Sequence, residues 1–285
     1  MENNFKRQSY IIRKYKERAF LAFVYASAVI AILPLISILG YVFIQGFSAL
    51  NWQFFTHLPT PAGEVGGGIA NGIVGTFIIL SMASLFGLPI GVLGGIWLAE
   101  YGQGKTGFFI RYAADVLAGI PSIVIGIFIY TLFVLTMHRF SALAGGIALA
   151  LIMIPTITRT TEELIKMVPL NLRESGLALG LPQWKVTWQI VFKTAWNGIF
   201  TGIMLAVARI AGETAPLLFT SFNNQFWSFA LDQPMASMTI QIFNYAISPF
   251  EDWHAKAWAG ALTLSAIILA INLLVRKYSK KVDYV

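Results

Sequence analysis

Long apolar runs separated by short polar segments are the main pattern in this chain of 285 residues. Most of the runs exceed the roughly 18 apolar residues needed to cross a bilayer, so the pattern predicts an all-α integral membrane protein. The predicted spans are 19–46, 69–99, 112–137, 141–157, 195–220 and 256–275. The fourth span is the shortest, and we expect it to end near Pro155 because proline lacks a backbone donor and kinks or breaks a helix.

Lysine and arginine are concentrated in alternate connections between these spans. If the N-terminus is cytoplasmic, the cytoplasmic segments hold 17 of the 20 Lys and Arg residues, the outer loops hold Arg139 and Lys256, and Arg209 lies inside the fifth span. Because membrane proteins concentrate positive charge on the cytoplasmic side, this asymmetry favours six spans with both termini in the cytoplasm.

The spans and charges together predict how the chain is organised. We expect a cytoplasmic basic N-terminal segment 1–18, a first transmembrane anchor 19–46, a helical membrane domain 69–276 that contains a cytoplasmic loop 158–194, and a cytoplasmic tail 277–285. The N-terminal segment interleaves bases with apolar residues, which fits either a helix in the inner headgroup layer or a frayed basic tail.

The composition excludes several classes of protein. Hydrophobic residues make up 57% of the chain and charged residues 12%, and the absence of cysteine excludes disulfides, thiol catalysis and thiolate metal sites. The histidines His57, His138 and His254 are far apart in sequence, so no metal site is expected. The net charge of +7 is explained by the topology, and we therefore expect no nucleic-acid partner.

The segment AEYGQGKT, from Ala99 to Thr106, resembles a relaxed phosphate-binding loop. Such a loop requires a buried strand before it, whereas here a membrane span precedes it, so we reject nucleotide binding at this position. If the protein uses ATP, another chain must bind it.

The loop 158–194 is too amphipathic to be a simple tether. From Asn171 onward, helical spacing places Leu172, Ser175, Gly176 and Leu179 along one stripe, and Leu181-Pro182 would close the helix. A short helix of this kind is suited to fitting a groove on another protein.

This loop resembles the EAA loop of the membrane subunits of bacterial ATP-binding-cassette importers. Glu174, Gly180 and Ile190 reproduce its spacing, whereas Ser175 and Gly176 stand where two alanines are usual and Phe192-Lys193 replaces the common Leu-Pro. The resemblance implies a type I importer permease, with a MetI-like core and an extra N-terminal span, whose loop inserts into a cleft of a separate ATPase. The implied ATPase-coupling residues are Arg173, Glu174, Ser175, Gly176 and Gly180.

Five further segments resemble the PstA-type permeases of phosphate importers. They are GGGIANGIVGT (66–76), GVLGGIWLAEY (91–101), LAGIPSIVIGIF (117–128), GETAPLLF (212–219) and QIFNYA (241–246). The resemblance implies a non-enzymatic subunit of the bacterial inner membrane that binds no cofactor itself, while ATP and Mg²⁺ are used by the partner ATPase. The implied partners are a sister permease (PstC-type), an ATPase dimer (PstB-type) and an external phosphate-binding protein (PstS-type).

The fifth predicted span contains two ionisable residues near its middle, Arg209 and Glu213. On one continuous helix they would share a face, and Gly212 and Pro216 predict a kink there. A self-neutralising pair that tolerates lipid is one interpretation, but such pairs contribute only about 0.2–0.5 kcal/mol. We therefore favour a transient phosphate site on the translocation path, with Arg209 as the anion ligand and Glu213 as its partner.

Other polar residues have weaker claims to a site. Asp115 is expected to be an interfacial cap or a partner of Arg111, and Asn71 and Glu100 lie near span ends. Two alternative functions stay open, namely a permease for sulfate, molybdate or phosphonate, and an ion-coupled secondary transporter. The latter predicts inverted repeats and several acidic residues at the midplane, where Glu213 is the only good candidate.

Overall fold

The computed structural model describes residues 2–61, 64 and 66–279, and these residues form thirteen α-helices and no β-strand. The helices are α1 (Glu2–Phe47), α2 (Trp52–Thr56), α3 (Ala70–Glu100), α4 (Gly104–Gly119), α5 (Ser122–Ile129), α6 (Leu135–Met137), α7 (Ala142–Lys166), α8 (Leu170–Ala178), α9 (Gln183–Val186), α10 (Phe192–Ala211), α11 (Ala215–Thr220), α12 (Met238–Ala246) and α13 (Glu251–Ser279). Two π-helical turns, Tyr130–Val134 and Thr187–Val191, join α5 to α6 and α9 to α10.

The all-helical membrane fold predicted from the apolar runs is confirmed. Among the described residues, five helical segments are long and apolar enough to cross a bilayer, and a bent pair supplies a sixth. The five are Arg13–Phe47, Ala70–Glu100, Ala142–Lys166, Gln183–Ala211 and Glu251–Leu274, and the pair is Gly104–Gly119 with Ser122–Met137. The last span therefore begins earlier than the predicted 256–275.

The third span is not the single helix 112–137 that the apolar run predicts. Its two halves, α4 and the segment from α5 to α6, are bent by 101°. The bend lies at Ile120, whose φ of −72° and ψ of 131° are extended. Pro121 explains the bend, because a proline disfavours the helical conformation of the residue before it and cannot donate a helical hydrogen bond.

The end of the fourth span and both ends of the fifth span differ from the residues that the sequence predicts. Pro155 lies inside α7, which continues to Lys166 instead of ending at residue 157. The next span begins at Gln183 rather than 195, so the connection that contains α8 is 167–182, shorter than the predicted loop 158–194. A proline is tolerated inside a membrane helix when neighbouring helices surround it, and α7 is the most buried of the five spans.

Helices α3 and α7 form the centre of the bundle, and glycines allow them to approach closely. A Cβ added at Gly91 would lie 2.8 Å from Ile157 Cβ, and one added at Gly95 would lie 2.6 Å from the Thr158 carbonyl oxygen. Gly87, Gly91 and Gly95, spaced four residues apart, thus give α3 a small-residue face against α7.

Helix α1 is continuous from Glu2, so the basic segment 1–18 is helical from that residue onward and runs directly into the first span. With 46 residues, α1 is about 69 Å long, more than twice the thickness of a bilayer core. It contacts α13 through Gly46 and through an edge-on ring contact of Tyr41 with Trp258. The predicted tail 277–285 lies outside the described residues beyond Ser279.

Candidate functional site

The fifth span, Gln183–Ala211, is followed by a break at residues 212–214. Helix α10 ends at Ala211, and α11 begins at Ala215 with Pro216 in its first turn. The amides of Gly212 and Glu213 donate to the carbonyl oxygens of Arg209 and Ile210 at 3.2 Å each, which closes α10 with short turns. The sequence predicts a kink here, and the structure places a complete break, since Pro216 cannot donate to the carbonyl of Gly212.

Arg209 and Glu213 do not form the ion pair that their spacing predicts. The helix stops at Ala211 between them, so the two residues do not share a helical face. Five arginines lie between residues 100 and 275, namely Arg111, Arg139, Arg159, Arg173 and Arg209. Among the described residues, Arg209 alone of these five has no carboxylate oxygen within 4 Å, and its side chain is exposed.

Arg209 lies on the side of α10 that contacts α7. The contact itself is made by an earlier part of α10, closer to α8. A Cβ added at Gly198 would lie 2.8 Å from Leu164 Cδ2, and one added at Gly202 would lie 2.5 Å from Thr160 Cγ2, both in α7. Arg209 continues this face at helical spacing, beyond the point where α7 covers it.

An aromatic stripe begins in the π-helical turn before α10 and ends at Phe200, on the side of α10 opposite Arg209. The rings of Trp188, Phe192, Trp196 and Phe200 follow one another with centroids 5.1, 5.4 and 6.2 Å apart. Arg209 is nine residues after Phe200, which turns a helix through about half a revolution. The arginine therefore points away from the aromatic stripe.

Polar groups of α12 line the other side of the break. The Thr239 hydroxyl donates to the Glu213 carbonyl oxygen at 3.1 Å, and the Ser237 hydroxyl caps α12 by accepting from the Ile240 amide at 3.3 Å. These hydroxyls and that of Thr76 line an internal cavity of about 10 Å³, enough for one water molecule. The backbone at the break thus has polar neighbours.

Asn71 belongs to a second polar cluster between the starts of α3 and α12. Its Nδ2 donates to the Asn224 carbonyl oxygen at 2.6 Å, and its Oδ1 accepts from Gln241 Nε2 at 3.2 Å. Both side chains are buried, so Asn71 joins structural elements and does not line an open site.

The connecting segment 167–182 carries α8 at one end of the bundle. An added Cβ at Gly176 would meet Ile190 Cδ1 at 2.7 Å, so Gly176 is buried against the following span. The predicted exposed stripe is therefore wrong at this residue, whereas Leu172, Ser175 and Leu179 are exposed. A glycine here brings α8 close to its support.

Gly180 ends α8 in a left-handed conformation with φ of +79°. The amide of Gly180 donates to the Leu177 carbonyl oxygen at 2.9 Å, and that of Leu181 donates to the Gly176 carbonyl oxygen at 3.3 Å. These two bonds form the Schellman motif, in which glycine is preferred because it has no Cβ.

The segment 167–182 and the start of the next span present an unusually apolar surface. Its exposed side chains include Met167, Leu170, Leu177, Leu179 and Trp184, and that of Leu179 is 82% exposed. Glu174 and Ser175 are also exposed on α8. We call this set the docking surface.

Arg173, in contrast, is turned toward the bundle. Its guanidinium donates to the Glu100 carboxylate at the end of α3, and its Nη2 donates to the Ile165 carbonyl oxygen at 2.7 Å. The side chains are only 19% and 7% exposed for Arg173 and Glu100. Arg173 is therefore packed against the bundle and is not among the exposed residues of α8, and its role in ATPase coupling stays a prediction of the resemblance.

A buried carboxylate, Glu162 of α7, was not singled out by the sequence. Its side chain is 1% exposed and contacts Arg111 Nε at 2.5 Å, Arg159 Nη1 at 2.8 Å and Lys166 Nζ at 2.5 Å. Asp115 pairs with Arg159 at 3.0 Å, so the predicted partnership of Asp115 with Arg111 is wrong. The sequence does contain a signal for this cluster. Arg159 precedes Glu162 by three residues and Lys166 follows it by four, so both cations share a helical face with the carboxylate.

Comparisons with known proteins match most of the length of this chain. Residues 91–284 match the model of a family described as binding-protein-dependent transport system inner membrane component. The chain is 43% identical to the phosphate transport system permease protein PstA of Yersinia pestis, across 97% of this chain and 93% of that protein. It is 35% identical to the PstA protein of Mycobacterium leprae, across 92% and 88% of the two chains.

A likeness to a solved structure supports the fold alone. The inward-facing MetNI methionine ABC transporter superposes with a TM-score of 0.59 at 15% sequence identity, covering 75% of this chain and 93% of that chain. The shared architecture is the helical permease core, and the likeness does not extend to cargo.

Proposed function

The chain belongs to the PstA family of binding-protein-dependent transport system inner membrane components, and we propose that it forms half of the phosphate pathway of an ATP-driven importer. It is a multi-pass inner membrane protein, and its relatives of 35% and 43% identity are named for phosphate transport. Because these relatives align over nearly their whole length, the cargo assignment rests on more than the shared core.

The observation that carries the proposal is the unpaired charge of Arg209. Arg209 lies two residues before the end of the span Gln183–Ala211. On insertion scales an arginine costs roughly 2.5–3.5 kcal/mol at the centre of a membrane helix, which sets the upper bound of the cost here unless water or an anion compensates the charge. No carboxylate within the described residues neutralises Arg209, so its charge is available to a passing ligand. A planar guanidinium holds two oxygens of a tetrahedral oxyanion at once, which suits phosphate.

The break at 212–214 lies next to Arg209, and we propose that phosphate binds and is released beside it. Because α10 ends at Ala211, Arg209 lies in its last turn, directly before the break. Glu213 follows by four residues and is partly exposed. We propose that its negative charge lowers the affinity of the site enough for phosphate to be released.

The remaining elements of the machine are proposed as follows. The docking surface faces the cytoplasm and contacts a separate ATPase subunit, which binds ATP and Mg²⁺, so this chain itself is not catalytic. A sister permease covers the exposed side of Arg209 and supplies the other half of the pathway, and an external binding protein delivers phosphate. Both termini are then cytoplasmic, as the charge distribution favours.

The experiment that tests this function is reconstitution of the chain with the products of its neighbouring genes in vesicles. We expect labelled phosphate to accumulate only when ATP is supplied on the docking side, and an excess of unlabelled sulfate or molybdate to leave uptake unchanged. Uptake that follows an ion gradient without ATP, or that sulfate suppresses more strongly than phosphate, would overturn the proposal.

A further inference from the structure

Arg173 connects α8, which we call the docking helix, to the neighbouring helices through its mostly buried side chain. Its guanidinium reaches two helices at once, α3 through the Glu100 carboxylate and α7 through the Ile165 carbonyl oxygen. Thr187, at the start of the next span, lies 3.5 Å from the second oxygen of Glu100. Three spans therefore meet at one buried ion pair beneath α8.

The next residue on α8 is exposed, whereas Arg173 is mostly buried. Glu174 follows Arg173 on α8 but is exposed on the docking surface, and the described residues include no ion-pair partner for it. One residue thus faces a partner protein while the next holds the helix to its own subunit. A charged pair that is mostly buried and also hydrogen-bonded fixes the orientation of the groups it joins.

A second ionic contact continues from α3 and α7 to α4. Arg111 of α4 contacts Glu162 of α7 and donates to the carbonyl oxygens of Leu98 and Gly102 at 2.8 and 3.0 Å, at the end of α3. The ends of α3 and α7 are therefore joined both to α8 and to α4.

Helix α4 is connected to the break beside Arg209 through α5, which follows it in the chain, and α11, which α5 contacts. After the bend at Ile120, α5 packs against α11, where a Cβ added at Gly126 would lie 2.6 Å from Pro216 Cα. This contact leaves no room for a side chain, so the backbones of α5 and α11 are in direct contact here. Pro216 is in the first turn after the break.

We propose that Glu100 and Arg173 are positioning residues that couple movement of the docking helix to the transport pathway. In this role the pair makes α8, α3 and α7 move as one body, so that a pull by the ATPase on α8 reaches α11 through α4 and α5. The inference rests on the proposed ATP-driven function, and it assigns to Arg173 an internal role instead of contact with the ATPase.

The test uses the complete importer in vesicles, with phosphate uptake and ATP hydrolysis measured on the same sample. The variants are Glu100→Gln, Arg173→Gln and the two combined. In each we expect the ATPase to co-purify in wild-type amount and to hydrolyse ATP, while phosphate transported per ATP falls about tenfold. The double variant should be no worse than either single one, because residues that act as a pair are not additive.

The double variant also separates coupling from folding. Removing one charge leaves the other buried without a partner, whereas removing both leaves no orphaned charge, so its thermal unfolding temperature should lie above those of the single variants. Glu174→Gln is the comparison variant on the same helix, because it removes a charge from the docking surface and should weaken ATPase association.

Three results would overturn the proposal. The first is a wild-type ratio of phosphate to ATP in Glu100→Gln and Arg173→Gln, and the second is loss of ATPase association in Arg173→Gln to the degree seen in Glu174→Gln. The third is a double variant with the combined deficits of both single variants. A wild-type complex that shows no ATP-dependent uptake would instead contradict the proposed function itself.

Discussion

The substitution Arg209→Gln is the most direct test of the transport site. It removes the guanidinium charge from the side of α10 opposite the aromatic stripe and keeps a polar side chain there. We expect uptake of phosphate to be lost, while assembly with the ATPase and ATP hydrolysis stay measurable, since Arg209 is far along the chain from the docking surface.

The size of the effect follows from the lack of an internal partner. Within the described residues no carboxylate lies within 4 Å of Arg209, so the guanidinium makes no direct ion pair that the anion would have to displace. A charge-assisted hydrogen bond contributes about 1.5–3 kcal/mol, so loss of a bidentate pair costs at least about 3 kcal/mol. That corresponds to at least a hundredfold lower uptake at limiting phosphate, at 1.4 kcal/mol per tenfold.

The assay is the initial rate of labelled phosphate uptake in vesicles at a phosphate concentration well below saturation. Arg209→Lys should retain part of the rate, because it keeps the charge and loses the planar fork. The control is Arg139→Gln, since Arg139 pairs with Asp232 at 2.9 Å and both side chains are 51% exposed. Exposed pairs of this kind contribute about 0–1 kcal/mol, so uptake should change little. An Arg209→Gln importer with at least one third of the wild-type rate would refute the reasoning.

Four further outcomes follow from the same geometry. Glu213→Gln should lower the phosphate concentration needed for half-maximal uptake and also lower the maximal rate, because the carboxylate is proposed to speed release; kinetics with a raised half-saturation point would contradict this role. Glu162→Ala should destabilise the folded chain by about 3 kcal/mol, since three cations lose a carboxylate that is 1% exposed, and thermal unfolding in detergent should show a smaller loss for Glu162→Gln. Gly180→Ala should cost about 1 kcal/mol because its φ is +79°, and binding of the ATPase should weaken several-fold in a titration; unchanged affinity would mean that the end of α8 is not needed. Leu205 is exposed and lies one helical turn before Arg209 on the same side of α10. Because the chain has no cysteine, Leu205→Cys should react with a charged thiol reagent in the assembled importer and Phe200→Cys should not, and equal labelling of the two would place the aqueous path elsewhere.

The helical class and most spans could be predicted from the sequence because apolar length alone decides them. Span 69–99, for example, differs from α3 by one residue at each end. Helix ends near ionisable residues were less predictable. The charged residues after Pro155 indicate the end of a span, yet α7 continues through them because Glu162 neutralises its neighbours inside the bundle.

The limits of sequence reasoning at the site have a common physical cause. Helical spacing relates residues of one element and does not reveal partners from other elements. Arg111 illustrates this limit, because its local candidate partner was Asp115 and its actual partner is Glu162, 51 residues away. Arg209 and Glu213 illustrate the reverse case, since a break between them removes a local pair that the spacing predicts.

The exposure of Arg209 in a single subunit is consistent with a pathway shared by two subunits. An arginine that faced lipid would be expected among the exposed aromatic side chains of α10, because these mark the side that tolerates an apolar environment. Arg209 lies instead on the opposite side, in line with Gly198 and Gly202, where the same face is covered by α7 nearer to α8. A second permease placed over this uncovered part would leave the guanidinium beside the interface. The guanidinium is then exposed in the single subunit and enclosed between the two permease subunits. An anion that passes between the two subunits would meet it there.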